Sequence, residues 1–161
     1  MTEPTGRIRR TEAGLDLTLR RCFSAPIEDV WRNVTDPALT AQWFGPWRGE
    51  CRPGGRIVAT LSVEDGSPTV HLRVVECEAP HRLRVVMQDG HGAWDLELVL
   101  ARDGAGTELE LVHHLQAKQG IGEIGPGWEF YLDRLAASRV DGPLPDFADY
   151  YPRMEGYYEA L

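Results

Sequence analysis

The sequence predicts an α+β fold in which one antiparallel sheet is covered on one face by one long C-terminal helix. Three observations carry this. From about residue 46 to 115, five or six short segments read as strands, each closed by Gly, Asp or Pro, which is the pattern of an antiparallel meander. Within them apolar and polar residues alternate, so one face of the sheet is wet and the other covered. A long stretch of helical periodicity follows the last strand and supplies the cover.

The elements follow in order. In "LDLTLRRCF", Leu15, Leu17, Leu19 and Phe23 alternate with Asp16, Thr18 and Cys22, which makes a strand. "SAP" breaks it, and Pro26 suits a first helical turn because its missing N–H is not needed there. Ile27, Val30, Trp31 and Val34 then form one apolar stripe of a short helix. "PALTAQWF" starts a second short helix, again with proline in front. "RIVATLSV", "TVHLRVVECE", "RLRVVMQ", "AWDLELVLA" and "TELELVHHL" are the strands of the meander, with "DGHG" introducing the fourth and the Arg102–Gly106 stretch turning into the fifth. If Ala79 and Pro80 form a two-residue turn, His81 pairs with Glu78. "IGEIGPG" reads as a loop leading into the final helix, "GPGWEFYLDRLAASR". There Trp128, Tyr131, Leu132, Leu135 and Ala136 make the apolar stripe, and Glu129 and Asp133 fall on the exposed face. Phe130 is on the polar side and needs a cover. The tail at 140–161 offers Phe147, Tyr150, Tyr151, Tyr157 and Tyr158, too many aromatics for a disordered linker.

With 161 residues the chain is expected to be one domain, 1–161, with its core at about 15–139 and the tail packed on it. A chain of this size buries about 70% of its unfolded surface, enough for a core without metal or disulfide support. The net charge of −8 argues against nucleic acid and against anionic membranes as partners. Arg7, Arg9 and Arg10 read as a solvated terminus. Three cysteines (Cys22, Cys51, Cys77) without C-x-x-C spacing fit free thiols in a reducing compartment. "MTEPTGRIRR" has no apolar signal-peptide region and no apolar run reaches membrane-spanning length, so a cytoplasmic location is expected.

Four stretches carry a family resemblance: "RCFSAPIEDVWRNVTDPALTAQWFGP" at 21–46, "GG" at 54–55, "CEAPHRL" at 77–83 and "GPGWEFYLDRLA" at 125–136. Together they resemble the helix-grip fold of the START and birch-pollen-allergen (SRPBCC) superfamily. Within it they are similar to the family of the activator of the ninety-kilodalton heat-shock-protein ATPase, C-terminal-domain-like. The resemblance implies a curved antiparallel sheet wrapped around the long C-terminal helix, with two short helices after the first strand. It leaves the function open, because the fold serves lipid carriers, cyclases, receptors and co-chaperones.

On that fold Trp43, Phe44 and Trp47 cap one end of the groove between sheet and helix, held by the Gly45–Pro46 turn. They either close the core or border the entrance to a cavity. Arg21, in phase with Leu17, Leu19 and Phe23, must meet a carboxylate, carbonyls or an anionic ligand, since an unpaired buried guanidinium is very costly. His113 points inward with Leu109 and Leu111, and is either a satisfied core group or a base. His113 and His114 face opposite sides and do not form a metal pair. No phosphate loop or nucleophile motif is present.

The function expected is binding of a small hydrophobic or aromatic molecule in a cavity formed by Arg21, Trp43, Phe44, Trp94, Leu96, Leu98, Leu111, His113, Trp128, Tyr131 and Leu135. No metal or other cofactor is expected, and the chain is expected to be a monomer or homodimer. Two alternatives stand beside it: a polyketide cyclase/dehydratase-like enzyme using cavity polar groups, and a chaperone-associated stress-response protein with a chaperone partner.

Overall fold

In a computed structural model, which describes residues 2–87 and 94–161, eight antiparallel strands form one curved sheet in the order β1-β2-β8-β7-β6-β5-β4-β3. The strands are β1 Arg7–Thr11, β2 Gly14–Phe23, β3 Trp47–Gly49, β4 Arg56–Thr60, β5 Thr69–Glu78, β6 Arg82–Met87, β7 Asp95–Asp103 and β8 Gly106–Leu115. Helices α1 Ile27–Thr35 and α2 Pro37–Thr40 follow β2, the long helix α3 Ile121–Arg139 follows β8, and α4 Glu155–Glu159 lies near the C-terminus. The expected helix-grip architecture is therefore present. The "DGHG" turn, with Gln88 and Ala93 beside it, lies outside the described residues.

Three local expectations are corrected. The arginines at 7, 9 and 10 are solvated as expected, but the terminus is not free: they form edge strand β1, paired with β2, and Arg9 meets Asp16 at 2.8 Å. Polar side chains on both faces of an edge strand leave no alternation to read. The β5–β6 turn has three residues, because the His81 N–H bonds back to the Glu78 carbonyl and Glu78 pairs with Arg82. Helix α3 starts four residues before the expected 125, with Pro126 inside it, at a site where a missing donor leaves only one carbonyl of the first turns unpaired.

Two hydrophobic clusters meet under the helix. One joins β2, β7 and β8 to α1, α3 and the tail through residues such as Leu17, Val30, Leu109 and Leu135; the other joins Ile57, Leu72, Val74 and Leu83 on β4–β6. Phe44, Val85, Trp94 and Leu98 pack against both. Gly45, at φ +148°, sits where a Cβ would lie 1.8 Å from the Thr60 carbonyl oxygen, so only glycine lets the aromatic segment cross that close to β4.

The outer face of the sheet is wet but not uniformly so. His114 bridges Asp16 (2.6 Å) and Glu97 (2.7 Å), and both carboxylates are buried under Arg9, Arg82 and Arg84. Burial alone would lower the imidazole pKa, but the hydrogen bonds that His114 donates to Glu97 and Asp16, and the charges of those carboxylates, prevail and raise it. A raised folded pKa stabilises fully below the unfolded value, about 6.5, and the contribution fades as pH rises through the folded value. His114→Gln should therefore lose most stability in mildly acidic urea titrations, with the gap to wild type narrowing as pH rises. A gap that stays constant or widens would show that His114 is not held as the cation.

Candidate functional site

The segment after α1 builds one end of the site. Asp36 caps α2 by accepting from the Ala38 N–H at 3.0 Å, and Pro37 starts it. The helix closes at Thr40, whose carbonyl accepts from the Phe44 and Gly45 N–H groups at 2.9 Å. This fold-back delivers three large rings to the groove. The Trp43 indole N–H donates to the Asn33 carbonyl (2.9 Å) and that of Trp47 to the Thr35 carbonyl (3.1 Å), so the polar edge of each ring is tied to the end of α1. Their apolar faces are left for the interior.

Inside that cap lies an apolar cavity of about 70 Å³. Trp43, Phe44, Leu96, Leu98, Leu111 and Trp128 line it, as do Trp47, Val34, Thr40, Leu72, Leu83 and Val85. Beyond Trp128 the groove opens into a cleft between the first half of α3 and the loop at 61–68. Its inner part, about 200 Å³, is bordered by Trp94, His113, Trp128 and Tyr131; the outer part, about 500 Å³, reaches Phe130, Phe147, Glu64 and Glu123. The partition between cavity and cleft is aromatic. Phe44 approaches Tyr131 at 5.4 Å and Trp94 at 6.4 Å between ring centroids, and Trp128 approaches Trp94 at 5.6 Å and Tyr131 at 5.9 Å.

Polar groups at the partition are few. The Trp128 indole N–H donates to His113 Nδ1 at 3.1 Å, so that nitrogen carries no proton and the buried imidazole is oriented by the helix. The Tyr131 hydroxyl donates to Glu64 Oε1 at 2.8 Å, tying α3 to the 61–68 loop. Burial, followed by the Glu64 hydrogen bond and charge, pushes the Tyr131 pKa far up and holds the phenol as a donor. Among the described residues no group of three or more His, Cys, Asp or Glu side chains is placed to hold a metal ion.

Of the residues expected in the cavity, Trp43, Phe44, Leu96, Leu98, Leu111 and Trp128 line it, and Trp94, His113 and Tyr131 border the cleft instead. Leu135 is wholly buried in the core and lines neither. Arg21 is inward in phase, but its guanidinium ends on the flank of α3. There it binds Glu129 at 2.7 Å and Asp133 at 3.0 Å, so its demand for a partner is met by carboxylates of the helix. Glu129, expected on a solvated face, is 0% exposed. Thr5 and Gly6 donate backbone N–H groups to it and Tyr158 donates its hydroxyl, so the two chain ends cover what the helix alone would expose. Glu64, Glu123 and Phe147 come from a loop, the helix start and the tail, and no periodic pattern marked them.

The sequence matches the family described as Activator of Hsp90 ATPase homolog 1-like protein over residues 24–138. Among solved structures, the crystal structure of CalU16 from Micromonospora echinospora is similar at 30% identity and a TM-score of 0.79, over 99% of this chain and 96% of that one. The protein encoded by gene BPP1335 from Bordetella parapertussis shares the fold at 21% identity and a TM-score of 0.73, over 97% and 90%. DynU16, a protein in the dynemicin biosynthetic locus, shares it at 22% identity and a TM-score of 0.68, over 82% of this chain and 50% of that one. No curated protein matches the sequence.

Proposed function

The chain belongs to the Activator of Hsp90 ATPase homolog 1-like family, and from that premise we propose that it binds a small hydrophobic or aromatic molecule. The ligand lies in the cleft between α3 and the 61–68 loop and sends its apolar end toward the cavity under Trp43 and Phe44. The observation that supports this is that the two spaces adjoin, with one layer of aromatic rings between them. A volume of about 70 Å³ is far below the ~300–1,000 Å³ usual for ligand pockets. Uptake therefore requires the partition to part, and Phe44 and Trp94 are suited to that because they are only partly buried, at the seam of two clusters. Glu64, Asp65 and Glu123 border the outer cleft, so a neutral or cationic ligand is favoured over an anion.

The test is a calorimetric titration with neutral and anionic polyaromatic probes, against wild type and a Leu98→Trp variant that fills the cavity. Saturable binding of the neutral probe is expected, with at least a tenfold loss in the variant while its melting curve stays cooperative. Overpacking a filled core costs about 1–3 kcal/mol. If no probe binds and Leu98→Trp destabilises by that much or more, the groove is already full and the binding reading fails.

One pair favours the enzymatic alternative. Tyr131 and Glu64 place a phenol and a carboxylate in contact at the cleft; a carbonyl oxygen that took over the phenol's hydrogen bond would release the Glu64 carboxylate as a proton acceptor. Conversion of a bound polyketone that Tyr131→Phe abolishes, with binding retained, would select it.

A further inference from the structure

Cys51 and Cys77 are 26 positions apart in the sequence, yet their sulfurs lie 3.0 Å from each other. Backbone hydrogen bonds explain the approach. After β3 the Glu50 N–H bonds to the Arg56 carbonyl, and the turn that follows is fastened to β5 by two bonds at Val74: the Gly54 N–H donates to its carbonyl, and its N–H donates to the Gly55 carbonyl. There β5 shifts register between Val74 and Glu76, next to Cys77. The turn thus reaches across β4 and sets Cys51 over β5. Both cysteines pack against the β4–β6 cluster but stay only partly buried, so each keeps some surface open to a small molecule.

We propose that Cys51 and Cys77 are a thiol–disulfide exchange site that takes a low-molecular-weight disulfide as its oxidant. One cysteine thiolate attacks the small disulfide, forming a mixed disulfide and releasing one small thiol. The other thiol loses its proton and displaces the second small thiol, leaving the Cys51–Cys77 bond. Two protein thiols are oxidised and one disulfide is reduced to two thiols. A shift of about 1 Å brings the sulfurs to bonding distance, within reach of side-chain rotation. Burial, then the hydrogen bond and charge of Cys77, push the Cys51 thiol up to about 12, so attack by Cys51 itself is slow at neutral pH and quickens in alkali. The bond would tie edge strand β3, which carries the cavity residue Trp47, to β5 two strands inward. Cys22, exposed on β2, has no such neighbour among the described cysteines and would stop at the mixed disulfide.

The full-length Cys22→Ser variant, incubated with oxidised glutathione in mildly alkaline buffer, provides the test. Intact mass should fall by two hydrogens, both thiols should vanish from thiol titration, and a linked Cys51–Cys77 peptide should appear. The melting temperature should rise by about 5–10 °C and return on reduction. Stable glutathione adducts at Cys51 or Cys77 without the internal bond would overturn the proposal. So would two thiols that remain titratable under conditions in which wild-type Cys22 becomes modified.

Discussion

Removing residues 141–161 is expected to lower the melting temperature by about 10–30 °C, or to abolish cooperative unfolding. The tail contributes Tyr150, Met154 and Tyr158, each at most 2% exposed, all joined to the main core cluster. Burying one such side chain is worth roughly 1.5–3 kcal/mol, so the three represent about 5–9 kcal/mol against a total stability of about 5–15 kcal/mol. The remainder of the domain is also left incomplete. Phe130 is covered by Phe147 and Tyr150 at ring-centroid distances of 5.3 and 5.7 Å, and deletion would bare it on a helix face that otherwise carries charge. Tyr158 lies between Gly6 and Gly125, where a Cβ would come within 2.5 and 2.2 Å of the tyrosine ring. Gly125→Ala should therefore reproduce part of the loss by forcing Tyr158 out, while Tyr158→Phe should remove only the two hydroxyl bonds, the one donated to Glu129 and the one accepted from the Gly6 N–H. Thermal melts with an apolar dye read all three variants. An unchanged melting curve for the truncated chain would show that the tail contributes nothing to the fold.

How much of this was legible in the sequence depends on distance along the chain. The strands of the meander could be read because alternation is a local signal, and Leu96, Leu98 and Leu111 could be assigned to the covered face for the same reason. Phe130 was informative because it broke the α3 stripe, which pointed to something packed over it. Glu129 was not legible: two carboxylates four residues apart on a helix look like a solvated face until Thr5 and Tyr158 arrive from the two ends of the chain. The outer cleft was missed for a related reason, since Glu64 and Phe147 come from segments with no periodicity to place them. The Cys51–Cys77 approach depends on a turn fastened across a strand at a register shift, and spacing carries no trace of that.

Arg21→Met should cost about 3–5 kcal/mol, the usual penalty for stranding one partner of a buried ion pair. The Arg21 side chain is 14% exposed and that of Glu129 is 0% exposed, so little water is available to replace the guanidinium. Arg21 also holds Asp133, which accepts from the Tyr150 hydroxyl at 2.8 Å, so the change reaches the tail as well. The pH dependence separates this role from simple loss of packing. Burial tends to raise the Glu129 pKa, but hydrogen bonds from Tyr158, Thr5 and Arg21 prevail and lower it. A lowered carboxylate contributes stability above its unfolded value, about 4.3, and loses it as pH falls through the folded value. The deficit of Arg21→Met should thus be largest near neutral pH and shrink in acid, as Glu129 becomes protonated in the variant first. Replacing both partners by methionine should recover only part of the loss, because Thr5, Gly6 and Tyr158 would then keep donors with no acceptor. A variant with wild-type stability and weakened probe binding would place Arg21 in the ligand site and not in the frame that holds α3 to the chain ends.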